Sequence, residues 1–257
     1  MRGMRQTIAR VAVISGIIGV LFAIQNISLV YDDFLNTSGT GILALVARHG
    51  LNMVFPDSPA LTVLNLLPLF ILTLRLGDDL SSDLILSGVY GFTRGTTRRK
   101  WYLTRVSIMA VYSIVFWLCY GFVYTTVFTL TSSRVFSFTG YDIFLRAILV
   151  YLAPFTLFSL LWTNLISLHK NITIACACTI AVHCLFLFAL LITLNTGSVW
   201  GTILNPLANS SYISWNEGFG GLVNPKFIPF SYVYWVIMLG ITIAVQLRYY
   251  MRTDILD

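Results

Sequence analysis

Crossing the hydrocarbon core of a membrane takes about 20 mostly apolar residues in a helix. Six stretches of this chain meet that requirement: Val11–Val30, Pro59–Leu76, Val106–Leu130, Ile143–Leu168, Ile172–Leu194 and Ile228–Leu247. The second is the shortest and carries Asn65 and Pro68; a spanning helix tolerates proline where neighbouring groups satisfy the carbonyl it frees. The turn His169–Asn171 is so short that it forces the fourth and fifth helices into an antiparallel hairpin. Before the sixth comes a long polar segment, residues 195–227, rich in Gly, Asn and Trp, which nevertheless contains the apolar run Val199–Leu207. That run predicts a segment dipping partway into the membrane, with protein around its backbone. The first apolar stretch follows basic residues as a signal peptide does. It lacks a small-x-small cleavage site and is too long, so a retained first helix is expected. The pattern holds no repeat, low-complexity tract or soluble domain. It predicts an all-α integral membrane protein with one six-helix domain over residues 1–257.

Composition agrees. Of 257 residues, 57% are hydrophobic and 10% charged, where a soluble domain carries roughly 25% charged. The net charge of +6 suggests nucleic acid only for a soluble basic surface, and no such domain exists here. The basic residues instead read as a topology signal. With the amino terminus inside, Arg2, Arg5, Arg10, Arg75, Arg94, Arg98, Arg99, Lys100, Arg105, Lys170, Arg248 and Arg252 are cytoplasmic, against Arg48, Arg134, Arg146 and Lys226 on or near the other side. This bias predicts cytoplasmic termini and a cytoplasmic segment 77–105. The cysteines, Cys119, Cys176, Cys178 and Cys184, all fall in apolar runs and offer no disulfide framework.

Catalytic signals are scarce. The chain has no phosphate-binding G-x-x-x-x-G-K-[ST], no H-E-x-x-H and no G-x-S-x-G, and its sole glutamate is Glu217. His183 is the ionisable group nearest a span centre, and an intramembrane ionisable residue is a default site hypothesis. Cys176 and Cys178 point to different faces, however, and His183 diverges from Cys184. A neutral, hydrogen-bonded histidine is therefore expected and no metal site. Asp142 and Arg146 lie four residues apart on one face, open to either a structural pair or a contact with an anionic substrate. No span holds a buried Asp or Glu, which counts against an ion-coupled carrier.

The segment before the third helix is the most informative. Over Leu80–Phe92, a helix would gather Ile85, Leu86, Val89 and Phe92 on one side, with Asp83, Ser87 and Gly91 opposite. Asp78, Asp79 and Asp83 come at its start, where the helix dipole favours them. Gly95 breaks the pattern, and Thr97 is placed to cap a new helix running into the third span. Arg98, Arg99, Lys100, Trp101 and Arg105 follow as an interfacial anchor, aromatic rings at headgroup level and cations reaching lipid phosphates.

This segment, with "TTRRKWYLTR" over Thr96–Arg105, resembles the membrane subunits of ABC exporters of the type-2 permease class. It is most similar to small bacterial permeases of peptide-antibiotic export and immunity. The resemblance implies a permease in the bacterial cytoplasmic membrane with no nucleotide site of its own. ATP and Mg would be bound by a separate ABC ATPase subunit, docked through Asp78, Asp79, Asp83, Tyr90 and Arg94. It also implies a homodimer, or a heterodimer with a related permease, and an outer re-entrant element within residues 195–227. Many members carry a glutamate where this chain offers aspartates. A membrane scaffold or sensor that uses the same segment only to bind a partner, an ion-coupled carrier and a membrane-embedded enzyme are the competing readings.

Overall fold

A computed structural model describes residues 2–36, 42–52, 54–55, 58–77, 97–132, 140–167, 170–211 and 228–252. Every regular element among them is helical. In chain order these are α1 (Arg2–Asn36), α2 (Ile42–His49), α3 (Pro59–Asn65), α4 (Leu67–Leu76) and α5 (Arg98–Ser132). They continue with α6 (Tyr141–Arg146), a π-helical stretch (Ala147–Leu152), α7 (Ala153–Ser167), α8 (Ile172–Asn195), α9 (Val199–Leu204), a 3₁₀ turn (Ala208–Ser210) and α10 (Ile228–Arg252). Among the described residues six helical runs are long and apolar enough to cross a membrane: Gln6–Gln25, Pro59–Leu76, Arg98–Thr131, Tyr141–Ser167, Ile172–Asn195 and Phe230–Met251. Six such crossings in series would return both chain ends to one side of the bundle.

The helices overrun the apolar windows. α1 and α5 each have 35 residues, about 52 Å at 1.5 Å per residue, against a hydrocarbon core of about 30 Å. At its start α5 is held by Thr97, whose Oγ1 accepts from the Lys100 amide (3.3 Å) while its carbonyl accepts from the Trp101 amide (3.0 Å). The capping role expected of Thr97 is realised. The second span is broken at Leu66, between α3 and α4. Pro68 has no N–H to continue the ladder, and the break lets the Asn65 amide leave the helix axis for the Asn52 carbonyl (3.1 Å).

The fourth span is the axis of the bundle. Two-thirds of its apolar window is buried (67%), against 28–44% for the other five. α7 packs on α4, α5, α8 and α10. Pro154 sits one residue into α7, where a straight α-helix would drive its ring into the carbonyl four residues back. The preceding turns widen instead: the Ala153 amide reaches back five residues to the Ile148 carbonyl. The π geometry relieves that clash inside an otherwise continuous span.

Among the described residues the first and third spans, α1 and α5, make the most extensive pairing. Gly19 of α1 lies so close to α5 that a Cβ there would stand 3.0 Å from the Tyr120 carbonyl. Small residues let membrane helices approach this way. α5 returns a stack of aromatic rings, Phe116, Trp117, Tyr120, Tyr124 and Phe128, all buried. Phe22 of α1 meets Tyr120 edge-on at 6.4 Å.

Gly140 begins the fourth span at φ +86°, with its missing Cβ position 2.7 Å from Ala44 of α2. Gly240 on α10 has nothing within 4 Å. Gly140→Ala should cost about 1–3 kcal/mol, visible as a lower unfolding midpoint in detergent, whereas Gly240→Ala should be neutral or stabilise by up to about 1 kcal/mol. Equal midpoints for the two variants would contradict the packing described for α2 against α6.

Candidate functional site

The residues proposed for ATPase docking, Asp78, Asp79, Asp83, Tyr90 and Arg94, lie outside the described residues. The basic anchor is described and forms the first turns of α5. Arg99 and Lys100 are exposed; Arg98, Trp101 and Arg105 are half-buried. Behind them Tyr102 is fully buried, its ring 5.3 Å from Tyr250 of α10, while Trp101 lies 6.2 Å from the same ring. The Tyr102 hydroxyl donates to Gln246 Oε1 (3.1 Å), and Gln246 Nε2 donates to the Leu161 carbonyl (2.8 Å). One glutamine thus ties the feet of the third, fourth and sixth spans together. Its buried amide has a partner at both ends, which makes such a network rigid rather than costly.

Asp142 and Arg146 share the short helix α6, and both are exposed. They make no ion pair with one another. An exposed pair gains so little over hydration that nothing compels it to close. The spacing allowed a pair that the structure does not form.

His183 lies at the heart of the bundle, 2% exposed. Its Nδ1 is 2.6 Å from the Thr179 carbonyl, which can only accept, so Nδ1 carries the proton. Nε2 of a neutral ring is then free to accept from the Ser159 hydroxyl at 2.9 Å. Ser159 lies within 2.9 Å of the Phe155 carbonyl as well, its alternative acceptor. One turn away Thr163 and Thr179 bring their hydroxyl oxygens to 2.8 Å. Ser159 and Thr163 on α7, with Thr179 and His183 on α8, therefore form a two-rung polar ladder. The expected hydrogen-bonded histidine is present, and both its ring nitrogens are engaged.

A serine, a histidine and an orienting carbonyl at these distances form a nucleophile–base–orienter set. Hydrolysis further needs a donor for the oxyanion and a path for water. Ser159 is fully buried within helix α7. The rings of Phe70, Phe155 and Phe186 surround the imidazole, with centroids 5.8, 5.1 and 6.0 Å away. The ladder acts as an interhelical clasp.

A second polar centre lies towards the opposite end from the chain termini. After α8 the chain doubles back through α9, and Asn205 Nδ2 donates to the Phe186 carbonyl at 2.8 Å. Phe186 precedes Asn195, the last residue of α8, by about 13 Å of helix at 1.5 Å per residue. The segment thus returns into the bundle without crossing it. Residues 205–211 are all buried. Asn205 Oδ1 accepts from the amides of Leu207 (2.8 Å) and Ala208 (3.3 Å). Asn209 Nδ2 donates to the carbonyls of Ile203 (2.7 Å) and Asn205 (2.9 Å). From α10, Ser231 donates to Asn209 Oδ1 (2.9 Å) and the Trp235 indole donates to the Asn209 carbonyl (2.8 Å). Ser211 donates to Asn52 Oδ1, joining the fold-back to the loop that also receives Asn65.

The four-residue spacing of Ser159 with Thr163, of Thr179 with His183, and of Asn205 with Asn209 was present in the sequence. It adds to the two signals read from the sequence, His183 near a span centre and the apolar run Val199–Leu207. No family model, curated protein or solved structure matches the chain.

The clasp has a measurable strength. In a double-mutant cycle of Ser159→Ala and His183→Phe, unfolding in mixed micelles should give a coupling of about 0.6–1.7 kcal/mol. Strictly additive effects would mean that the Ser159–His183 contact carries no energy.

Proposed function

We infer that the chain is the permease subunit of an ATP-driven ABC exporter in a bacterial cytoplasmic membrane, with both termini cytoplasmic. The observation that carries this reading is the foot of the third span. There residues 97–105 form a capped helical extension tied to the sixth span through Tyr102, Gln246 and Tyr250. A push on that foot from a docked ATPase is passed to the sixth span and, through Gln246 and the Leu161 carbonyl, to the axial fourth span. Six apolar helices and a fold-back before the last of them suit the same architecture.

In this reading the segment ahead of α5 docks the ATPase through Asp78, Asp79, Asp83, Tyr90 and Arg94. ATP and Mg are held by that partner. Two permease chains, identical or related, pair to form the path, and the cargo is an amphipathic peptide or lipid-like molecule. Nucleotide-driven closure of the ATPases tilts the spans about the interface between permeases.

Co-expression with a cognate ABC ATPase chain should yield a complex stable in mild detergent. In liposomes, Asp83→Ala with Tyr90→Ala should lower permease-dependent ATP hydrolysis at least about fivefold and leave membrane insertion intact. A complex that forms but moves no cargo on ATP addition would support a scaffold or sensor instead. Failure to form any complex would remove the ATPase partner.

A further inference from the structure

At the foot of α5 the outward face carries a polar stripe. Thr97, Lys100, Thr104 and Ser107 recur at helical spacing and are all exposed, as are their neighbours Arg99 and Leu103. Together these six line a recess of about 370 Å³. Arg99 and Lys100 make no ion pair among the described residues. Thr104 donates to the Lys100 carbonyl (2.8 Å) and Ser107 to the Leu103 carbonyl (2.9 Å). Rotating either hydroxyl off its helix carbonyl turns a donor towards the recess.

The depth of the recess follows from its neighbours. Asn164 Nδ2 lies 3.5 Å from the carbonyl of Leu76, the last residue of the second span, and 4.0 Å from Met109 Sδ. Met109 therefore marks the level where the second span leaves the apolar layer. At 1.5 Å per residue Ser107 lies about 3 Å beyond that level and Lys100 about 13 Å beyond it. A headgroup layer is about 5–8 Å thick on each side of the core. Ser107 then sits at the hydrocarbon edge and Thr104 within the headgroup layer. Arg99 and Lys100 sit just above, with stems long enough to bend down to it.

We propose that this recess is a binding site for the phosphate of an anionic phospholipid in the leaflet next to the chain termini. Arg99 and Lys100 supply the counter-charge, Thr97, Thr104 and Ser107 the hydroxyl donors, and Leu103 the contact to the first acyl carbons. Charge complementarity and depth together select a lipid over a soluble anion. The inference needs only that the helices span a bilayer, so it stands or falls separately from the permease reading.

The test is native mass spectrometry of the full chain released from nanodiscs of equimolar phosphatidylglycerol and phosphatidylcholine. Wild-type protein should retain phosphatidylglycerol preferentially. Arg99→Gln with Lys100→Gln should reduce that preference roughly thirtyfold. Arg75→Gln with Lys170→Gln, which removes two exposed cations outside the recess, should leave it unchanged. Thr104→Val with Ser107→Ala should fall between. Equal retention by wild type and the recess variant would overturn the site, and so would an equal loss in the control, which would indicate diffuse electrostatics. Saturable binding of inorganic phosphate to lipid-free protein, without lipid preference, would assign the recess to a soluble anion. A shift from dimer to monomer in the recess variant, with lipid retention unchanged, would make this face an interface between copies.

Discussion

Non-helical backbone inside a bilayer has no water to satisfy it, and each orphaned amide or carbonyl costs several kcal/mol. Residues 205–211 face that constraint directly. They leave α-helical geometry within the bundle, apart from one 3₁₀ turn at Ala208–Ser210, and Asn205 accepts from two amides ahead of it while Asn209 donates to two carbonyls behind it. Ser231 and Trp235 of the last span then close on Asn209. Side-chain amides here supplement the backbone bonds from Asn209, Ser210 and Ser211 to Asn205, Leu207 and Ala208, doing part of what a sheet or helix ladder would otherwise do. The sixth span is positioned by the same contacts.

The rest of the bundle answers the same constraint in milder form. Pro154 would leave one carbonyl unpaired in the most buried span, and a π turn lets the ladder resume. Pro68 does so in the second span, where the break frees Asn65 to reach Asn52. Between the fourth and fifth spans, where apolar contact alone gives no preference over lipid, hydroxyls and one imidazole supply direction. All of these stations sit at or beside the fourth span or the fold-back. Stiffness is therefore concentrated along the axis, and Gln246 joins the feet of the third and sixth spans to it.

The spans were legible because hydrophobic length is a local property, and the charge of the flanks needs no partner to be seen. The Thr97 cap was legible for the same reason. The extension of α1 and α5 beyond the apolar windows was not, since helices continue into polar sequence wherever no residue stops them. The Val199–Leu207 run signalled a dip by its apolarity, whereas the groups that hold it come from segments far away in sequence: the Phe186 carbonyl and the Ser231, Trp235 and Asn52 side chains. His183 could be read as hydrogen-bonded, but Ser159 could not be named, because the partner depends on how two helices rotate against each other. Asp142 and Arg146 show the reverse failure: correct spacing, with too little energy at an exposed site to bring the charges together.

Hydrogen–deuterium exchange of the backbone amides in residues 202–211, followed in nanodiscs, tests most directly whether side chains anchor non-helical backbone inside the membrane. Amides of this segment should exchange as slowly as those of α7, and Asn209→Leu should release them while α7 stays protected. Rapid exchange of 202–211 in the unaltered protein would contradict the account, because a fold-back in contact with bulk water needs no such lock.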